Sequence, residues 1–180
     1  MNELDLGIDG IDGIKVFTPR VFDDERGYLF ESFRSSWLPG FEFVQDNHSR
    51  STKGALRGLH YQHEHPQGKL VRVVRGTVYD VAVDIRASST TFGQYVGRIL
   101  SEQNKELFWI PPGFAHGFLV LSDEADFVYK CTDYYTPGDE YAIRWNDPSL
   151  AIEWPLDSIT PNLSEKDANA SFLTGAKLFP

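Results

Sequence analysis

Three side chains that can donate or exchange protons lie close together in the first half of the chain. Arg57 and His60 are separated by Gly58 and Leu59, and Lys69 follows a little later. Histidine titrates near neutral pH and is the side chain most often used to move protons in catalysis. A lone histidine is more often structural, but the two neighbouring cations favour a functional interpretation of His60.

A second group of histidines raises the alternative of a metal site. His63 and His65 are separated by one residue and His116 follows later, as in cupin enzymes that hold iron or manganese. The glutamate expected in such a set is missing, because Lys69, a cation, stands four residues after His65. The segment 64–68 contains proline and glycine, which indicates a loop rather than a strand. We therefore expect no metal at these residues.

Other polar residues have structural explanations when each is judged alone. A cluster of tyrosines lies on or after a predicted strand, where tyrosine is usually a packing residue: Tyr129, Tyr134 and Tyr135. Asp167 follows Ser164 in a capping box, so helix initiation alone can explain it. Two further charged residues can be explained as ordinary surface residues: Arg26 and Lys166.

Many short strands and few helices are predicted to position these side chains. The segments 70–75 and 77–85 are rich in valine and isoleucine, alternate with a period of two, and are separated by Gly76 as a turn. Further strands are predicted at 28–34, 41–46, 93–100, 107–110, 118–121, 127–134 and 142–145, with short helices at 35–38 and from Ser164. This pattern is typical of a β-sandwich or small antiparallel barrel that holds one ligand in its mouth. The length fits a single domain, 1–180.

Composition excludes several classes of partner. The formal net charge of -9 argues against nucleic acid or an anionic membrane as the main partner, since both select basic surfaces. No apolar run reaches the length of a membrane span, and the acidic N-terminus does not resemble a secretion signal. The single cysteine, Cys131, excludes an internal disulfide framework. We expect a cytoplasmic protein.

Taken together, motifs along the whole chain are similar to those of the dTDP-4-dehydrorhamnose 3,5-epimerase family. The matching runs occur in order and are FDDERG (22–27), VQDNHS (44–49), LRGLHYQ (56–62), QGKLVR (67–72), VYDVAVDIR (78–86), WIPPGFAHGF (109–118), YK (129–130), WNDP (145–148) and LSEKD (163–167). A resemblance over this length is far more specific than any single motif.

The resemblance implies an all-β, cupin-type antiparallel barrel (jelly roll) with a few short helices, which is usually a homodimer and uses no cofactor or catalytic metal. It implies inversion of C3 and C5 of dTDP-4-dehydro-6-deoxy-D-glucose. His60 would be the base, Asp167 its partner, Lys69 the cation at the enolate oxygen and Tyr129 the acid on the opposite face. The substrate would be bound by Arg26, Glu31, Gln45, Asp46, Asn47, Arg57, His116, Tyr135, Glu140 and Lys166, with Tyr135 stacked on the base.

Three alternatives remain open at this point. The first is a single-carbon epimerase or a ketoisomerase of an antibiotic-sugar pathway, because regiochemistry depends on how the sugar sits. The second is a metal-dependent cupin oxygenase that uses His63, His65 and His116. The third is a sugar-nucleotide binding protein without catalysis, which would not need both a base and an acid.

Overall fold

Antiparallel strands dominate the structure. The computed structural model describes the backbone of residues 2–4 and all atoms of residues 11–180. In chain order the strands are β1 (Asn2–Leu4), β2 (Lys15–Thr18), β3 (Val21–Asp24), β4 (Gly27–Phe30), β5 (Gln45–Thr52), β6 (Leu56–Gln62), β7 (Lys69–Arg75), β8 (Thr77–Asp84), β9 (Tyr95–Ser101), β10 (Leu107–Ile110), β11 (Phe114–Val120), β12 (Glu124–Cys131) and β13 (Glu140–Ala142). The helix α1 (Glu165–Ala168) and 3-10 turns at Ser35–Trp37 and Leu173–Gly175 complete the elements.

Two sheets face each other and a hairpin stands apart. One sheet has the spatial order β1-β2-β10-β7-β12-β5, and the other has the order β13-β6-β11-β8-β9. Strands β3 and β4 pair only with each other in the described chain. All pairings between these strands are antiparallel. The prediction of an antiparallel, all-β fold is therefore confirmed.

Apolar residues fill three layers because each strand alternates its side chains between two faces. On β8, Val78 and Ala82 belong to the core between the sheets, whereas Val81 and Val83 belong to a second core on the outer face. The second core is covered by the C-terminal part of the chain. A third, on the outer face of the six-stranded sheet, contains Phe17, Trp37, Leu38, Leu70, Leu107 and Trp109. Asp80 shares the inner face with Val78 and Ala82, so this alternation brings a carboxyl group into the space between the sheets.

The strand β6, which carries His60, was not among the predicted strands. Gly58 has φ +128°, and a Cβ at this position would lie 2.5 Å from the Cα of Gly117 on β11. The two strands therefore approach each other more closely than side chains allow, and the register shifts between His116 and Phe118. Glycine is required at this crossing, and it hides the strand from a pattern based on β-branched residues.

Several strand boundaries also differ from the prediction. The strand expected at 41–46 begins only at Gln45 and continues to Thr52, because Phe41 and Phe43 pack on Trp109 instead of pairing. The strand expected at 28–34 ends at Phe30, and the strand expected at 127–134 ends at Cys131. The strand expected at 142–145 is found instead at Glu140–Ala142. The turn at Gly76 and the short helices at 35–37 and 165–168 are confirmed. None of the described helices is long and apolar enough to cross a membrane.

Candidate active site

A cavity of about 290 Å³ opens between the two sheets and collects most of the predicted site residues. Its walls come from strands of both sheets, which bring together residues far apart in sequence. The predicted residues that line it are Gln45, Asn47, Arg57, His60, Lys69, His116, Tyr129, Tyr135 and Glu140. Since these residues could exchange protons, hold negative charge and bind polar groups, the cavity is the candidate active site.

His60 and Asp167 form a pair at the edge of this cavity. His60 Nε2 lies 2.5 Å from Asp167 Oδ1, and 25% of the His60 side chain is exposed against 4% for Asp167. Burial by itself raises the pKa of Asp167, but hydrogen bonds from His60 and Ser164 and nearby charges outweigh it, so its pKa lies below the usual value. A carboxylate can only accept, so Nε2 carries a proton. In the neutral imidazole, Nδ1 is therefore the free basic nitrogen, and it faces Glu140 Oε1 at 4.0 Å.

A single turn of helix presents Asp167. Ser164 is the N-cap of α1, and its hydroxyl accepts a hydrogen bond from the Asp167 backbone N–H at 3.1 Å. The same hydroxyl donates to Asp167 Oδ2 at 2.8 Å. At the other end, Arg144 Nη2 donates to the carbonyl of Ala168 at 3.0 Å. The N-cap half of the predicted capping box is thus present, whereas the Asp167 carboxylate contacts the Ser164 hydroxyl and His60 instead of the Ser164 backbone N–H.

A second histidine–carboxylate pair lies on the neighbouring strands. His116 on β11 is the register partner of His60 on β6, and its Nε2 lies 3.0 Å from both oxygens of Asp80 on β8. Burial lowers the pKa of His116, while the charge and hydrogen bond of Asp80 oppose that shift. Lys69 and His60 act in the same direction as burial. His116 is therefore a neutral imidazole whose Nδ1 can accept a hydrogen bond.

Lys69 and Tyr129 face the same cavity from neighbouring strands. Burial lowers the pKa of Lys69, and the nearby Cys131, Glu140 and Asp80 oppose this shift. Burial also raises the pKa of Tyr129, whose ring lies 5.9 Å from that of Phe127. The tyrosine therefore keeps its proton at neutral pH, and the lysine places a poorly hydrated cation in the cavity. Such a cation stabilises a developing oxyanion more strongly than an exposed one.

Polar residues at the rim are linked to each other by hydrogen bonds. The backbone N–H of Tyr135 donates to Gln45 Oε1 at 2.9 Å, and Gln45 Nε2 donates to Asn47 Oδ1 at 3.1 Å. Tyr135 Oη approaches Glu140 Oε2 at 3.5 Å, and Lys166 Nζ forms an ion pair with the same carboxyl group. The rim is thus a connected polar surface with an exposed aromatic ring that can stack on a planar group.

Three of the predicted binding residues lie away from this cavity. Arg26 is at the tip of the β3–β4 hairpin and pairs with Asp24, and Glu31 pairs with Arg34. Asp46 pairs with Lys130 at 2.9 Å and lines a groove on the outer face of the six-stranded sheet. Within one copy of the chain these residues do not join the residues around His60.

The histidines of the alternative metal site have separate partners. His63 Nε2 donates to the carbonyl of Leu178 at 2.9 Å, and its Nδ1 lies 3.0 Å from Glu64. His65 lies 3.6 Å from Asp133, whereas His116 is inside the cavity. Among the residues that the structure describes, no three histidine, cysteine, aspartate or glutamate side chains converge as metal ligands. The geometry gives the oxygenase alternative no support.

Two residues of the site were missed or undervalued in the sequence. Asp80 is not among the predicted site residues, yet it is fully buried beside His116. A charged residue at an inward position of a valine-rich strand is the signal that could have identified it. Ser164 was read only as a cap, and its second contact to Asp167 Oδ2 depends on a rotamer that a sequence pattern does not fix.

The fold and the cavity together define a barrel enzyme built for proton transfer. A family model described as dTDP-4-dehydrorhamnose 3,5-epimerase matches residues 9–175. The dTDP-4-dehydrorhamnose 3,5-epimerase of Pseudomonas aeruginosa is 54% identical over 175 residues, covering 94% of this chain and 96% of the relative.

Solved structures give the same result. The epimerase from Legionella pneumophila in complex with dTDP-4-keto-L-rhamnose matches with a TM-score of 0.90 and 56% identity, covering 93% of this chain and 91% of that one. A 3′-monoepimerase from Streptomyces bikiniensis in complex with dTDP-quinovose matches with a TM-score of 0.84 and 36% identity, covering 90% and 84%. This chain belongs to the dTDP-4-dehydrorhamnose 3,5-epimerase family and has its cupin-like jelly-roll fold.

Proposed function

We propose that this protein inverts C3 and C5 of dTDP-4-dehydro-6-deoxy-D-glucose, giving dTDP-4-dehydro-L-rhamnose. The observation that carries the proposal is the His60–Asp167 pair, whose free imidazole nitrogen faces a cavity that also contains Lys69 and Tyr129. Each inversion requires removal of a proton from one face of a carbon beside a ketone and return of a proton to the other face.

His60 removes the proton. The C–H bond breaks, its proton goes to Nδ1, and its electron pair forms a C=C bond as the ketone oxygen becomes negative. Asp167 accepts from Nε2–H throughout, so it fixes the tautomer and stabilises the imidazolium. Asp167 remains a carboxylate, because hydrogen bonds and nearby charges keep its pKa below the usual value despite burial.

Lys69 and Tyr129 complete the inversion. The Lys69 ammonium stabilises the enolate oxygen, with a strength that follows from its desolvated position. Tyr129, which keeps its proton because burial raises its pKa, donates to the opposite face of the carbon. His116 and Arg57 bind the sugar or its phosphates. After each inversion the His60 imidazolium releases its proton to solvent and the Tyr129 phenolate takes one up, which restores both groups. The same set of groups then acts at C3 and C5 after the sugar shifts within the cavity.

The rim binds the nucleotide in this proposal. Tyr135 stacks on the thymine, and the polar groups linked to it define the rest of the subsite: Gln45, Asn47, Glu140 and Lys166. Because the two structural relatives named above hold dTDP-sugars, the same class of ligand is the natural candidate here.

A second copy of the chain supplies the binding residues that one copy leaves out. The β3–β4 hairpin exposes Phe22, Tyr28 and Leu29, the last at 72%, and Arg26 lies at its tip. Apolar residues clustered on a protruding hairpin are typical of an interface. In a homodimer the hairpin would dock on the partner and bring Arg26 and Glu31 to its cavity, with Asp46 beside that interface. The buried lone Cys131 fits a reducing cytoplasm, where we place the reaction.

Incubation with dTDP-4-dehydro-6-deoxy-D-glucose in heavy water tests the reaction. NMR and mass spectrometry should show deuterium at both C3 and C5 of the product. Deuterium at one carbon only would make the protein a single-carbon epimerase, and migration of the ketone would make it a ketoisomerase. Nucleotide binding without exchange at either carbon would leave a binding protein and refute the proposal.

A further inference from the structure

The position of Asp167 depends on a helix that is too short to form by itself. Helix α1 contains four residues, Glu165–Ala168, and an isolated turn of this length is not stable in water because nucleation is unfavourable. The carboxylate beside His60 is therefore held by the bonds that anchor this turn. Arg144 and Asn169 hold its C-terminal end, and Ser164 holds its N-terminal end.

Ser164 differs from the other anchors because it also touches the carboxylate. The Asp167 N–H can only donate, so the Ser164 oxygen accepts that bond, and the one hydroxyl proton is left for Asp167 Oδ2. Oδ2 is thereby occupied at 2.8 Å, and Oδ1 is left for His60 at 2.5 Å. One hydroxyl thus fixes the helix start, the rotamer of Asp167 and the oxygen that meets the histidine.

We propose that Ser164 is a positioning residue for catalysis, which acts through Asp167 on the basicity and orientation of His60. The inference rests on the proposed function of His60 as the base. Ser164 does not need to touch the substrate in this role. The chain of contacts runs from the Ser164 hydroxyl to Asp167 Oδ2, through the carboxyl group, and from Oδ1 to His60 Nε2.

Loss of the Ser164 hydroxyl would make the Asp167 carboxylate easier to protonate. The Ser164 hydroxyl stabilises the negative charge of Asp167 and is one of the groups that lower its pKa against the effect of burial. Three other groups act on the pair: Glu140 Oε1 on β13 lies 4.0 Å from His60 Nδ1, His116 on β11 interacts electrostatically with His60, and Lys166 of α1 lowers the pKa of Asp167. Removal of the Ser164 hydroxyl alters none of these groups, but without this donor the carboxylate attracts a proton more strongly, so the His60–Asp167 pair keeps its proton to higher pH. The base would then be unavailable over a wider acidic range, and its imidazole would be held less firmly.

The test compares Ser164→Ala and Ser164→Gly with the unchanged protein. Both variants lack the hydroxyl, but glycine is nearly as well tolerated as serine at an N-cap, so it preserves the helix start better than alanine. We expect both to lower kcat roughly tenfold, because a misplaced catalytic group is costly, with little change in KM. The acidic limb of the kcat/KM profile should move upward by about one pH unit, as expected for losing a hydrogen bond to a charged group.

Two matched variants separate positioning from general loosening of α1. Ser164→Thr keeps the hydroxyl and should restore both kcat and the acidic limb. Asn169→Ala removes the 2.9 Å bond from its side chain to the Glu165 carbonyl without touching the Asp167 side chain. This variant should leave the pH profile unchanged, since it alters the opposite end of the turn.

An independent readout uses the protein without substrate. NMR titration of labelled histidine, with His60 assigned by its absence in His60→Asn, should show that the imidazole retains its proton to higher pH in Ser164→Ala. If both Ser164 variants showed the same His60 titration and the same kinetics as the unchanged protein, the inference would be overturned. If the unchanged protein shows no carbon-bound exchange, the proposed function falls, while the NMR titration still tests the link between Ser164 and His60.

Discussion

Two histidine–aspartate pairs face one cavity, and they differ in almost everything except residue type. His60 is 25% exposed and meets a carboxylate from a helical turn late in the chain, whereas His116 is 8% exposed and meets Asp80 on the adjacent strand. Asp167 offers one oxygen to His60 and the other to Ser164. Asp80 lies 3.0 Å from His116 through both of its oxygens.

The environment, rather than the pair itself, decides what each histidine can do. Burial lowers the pKa of His116, so that the ring stays neutral and serves as a fixed hydrogen-bonding group. His60 is reached by solvent, and its partner Asp167 can stabilise the imidazolium that a base must form. The comparison predicts that changes at His60 act on the chemical step and that changes at His116 act on binding and stability.

The largest expected effect comes from His60→Asn. It removes the basic nitrogen but keeps a polar side chain of similar size, so deuterium exchange at C3 and C5 should fall by about 10²–10⁴-fold. The affinity for dTDP, measured by calorimetry, should change little, because His60 faces the sugar.

His116→Asn is the matched variant on the other pair. It should raise KM while leaving kcat measurable, since the base remains in place. A loss of exchange in His116→Asn as large as that in His60→Asn would mean that both pairs transfer protons, which would contradict a binding role for His116.

Lys69→Met should produce the next largest effect because this cation lines the same cavity as the two histidines. Loss of one preorganised oxyanion contact typically costs about 10²–10³-fold in kcat. The functional form of Lys69 is the ammonium, and burial lowers its pKa, so activity should decline as pH rises through a value below that of an ordinary lysine. Exchange assays at a series of alkaline pH values measure this decline, which is the alkaline limb of the pH profile.

Lys69→Arg provides the control for charge. Arginine stays protonated over the whole range, so the alkaline limb should move to higher pH even if kcat is reduced. The charge of Lys69 also lowers the pKa of His116, so that pKa should rise in Lys69→Met. An alkaline limb at the same pH in the arginine variant would assign it to another group.

A smaller effect, on stability, should separate the two carboxylates. Asp80→Ala leaves the buried Nε2–H of His116 without its acceptor, which costs about 1–3 kcal/mol of unfolding free energy. Asp167→Ala should cost less, because His60 is exposed enough to bond water, but it should reduce kcat more. Urea denaturation at neutral pH, together with exchange assays, measures both. If Asp80→Ala and Asp167→Ala lost the same unfolding free energy, the deeper burial of His116 would not determine the stability cost.

The sequence predicts one pair much better than the other. The β fold, the motif around His60 and the capping box at Ser164 follow from local patterns, and the family resemblance links His60 to Asp167. Asp80 was not recognised, because an aspartate in an alternating strand looks like a solvent-facing residue until the second sheet covers that face. Sequence periodicity shows which residues share a face, but packing decides whether that face meets water.

The sequence pattern also does not reveal the close crossing of β6 and β11. Two glycines let the strands that carry His60 and His116 approach closely, and glycine weakens any strand pattern. The hairpin residues Arg26 and Glu31 illustrate a different limit, because one chain does not bring them to the cavity. Their predicted role depends on a partner whose surface is not encoded in local pattern.

The smallest expected effect concerns a third histidine, which serves as a purely structural reference. His63 follows β6 directly, but its two nitrogens meet the Leu178 carbonyl and Glu64, and its ring stacks on Phe179 at 5.1 Å. His63→Phe keeps an aromatic ring and loses the polar contacts. We expect a loss of about 0.5–1.5 kcal/mol, seen in calorimetry as a decrease in Tm of a few degrees at most.

Exchange activity in His63→Phe should remain at the wild-type level, because the ring points to the C-terminal segment rather than to the cavity. His65→Phe is the matched control, since the His65 side chain is 53% exposed and its 3.6 Å contact with Asp133 is a surface pair of little energetic value. It should leave both Tm and exchange unchanged. If His63→Phe lowered kcat at constant Tm, a histidine outside both pairs would contribute to the chemistry, and exposure to the cavity would no longer explain which histidines act.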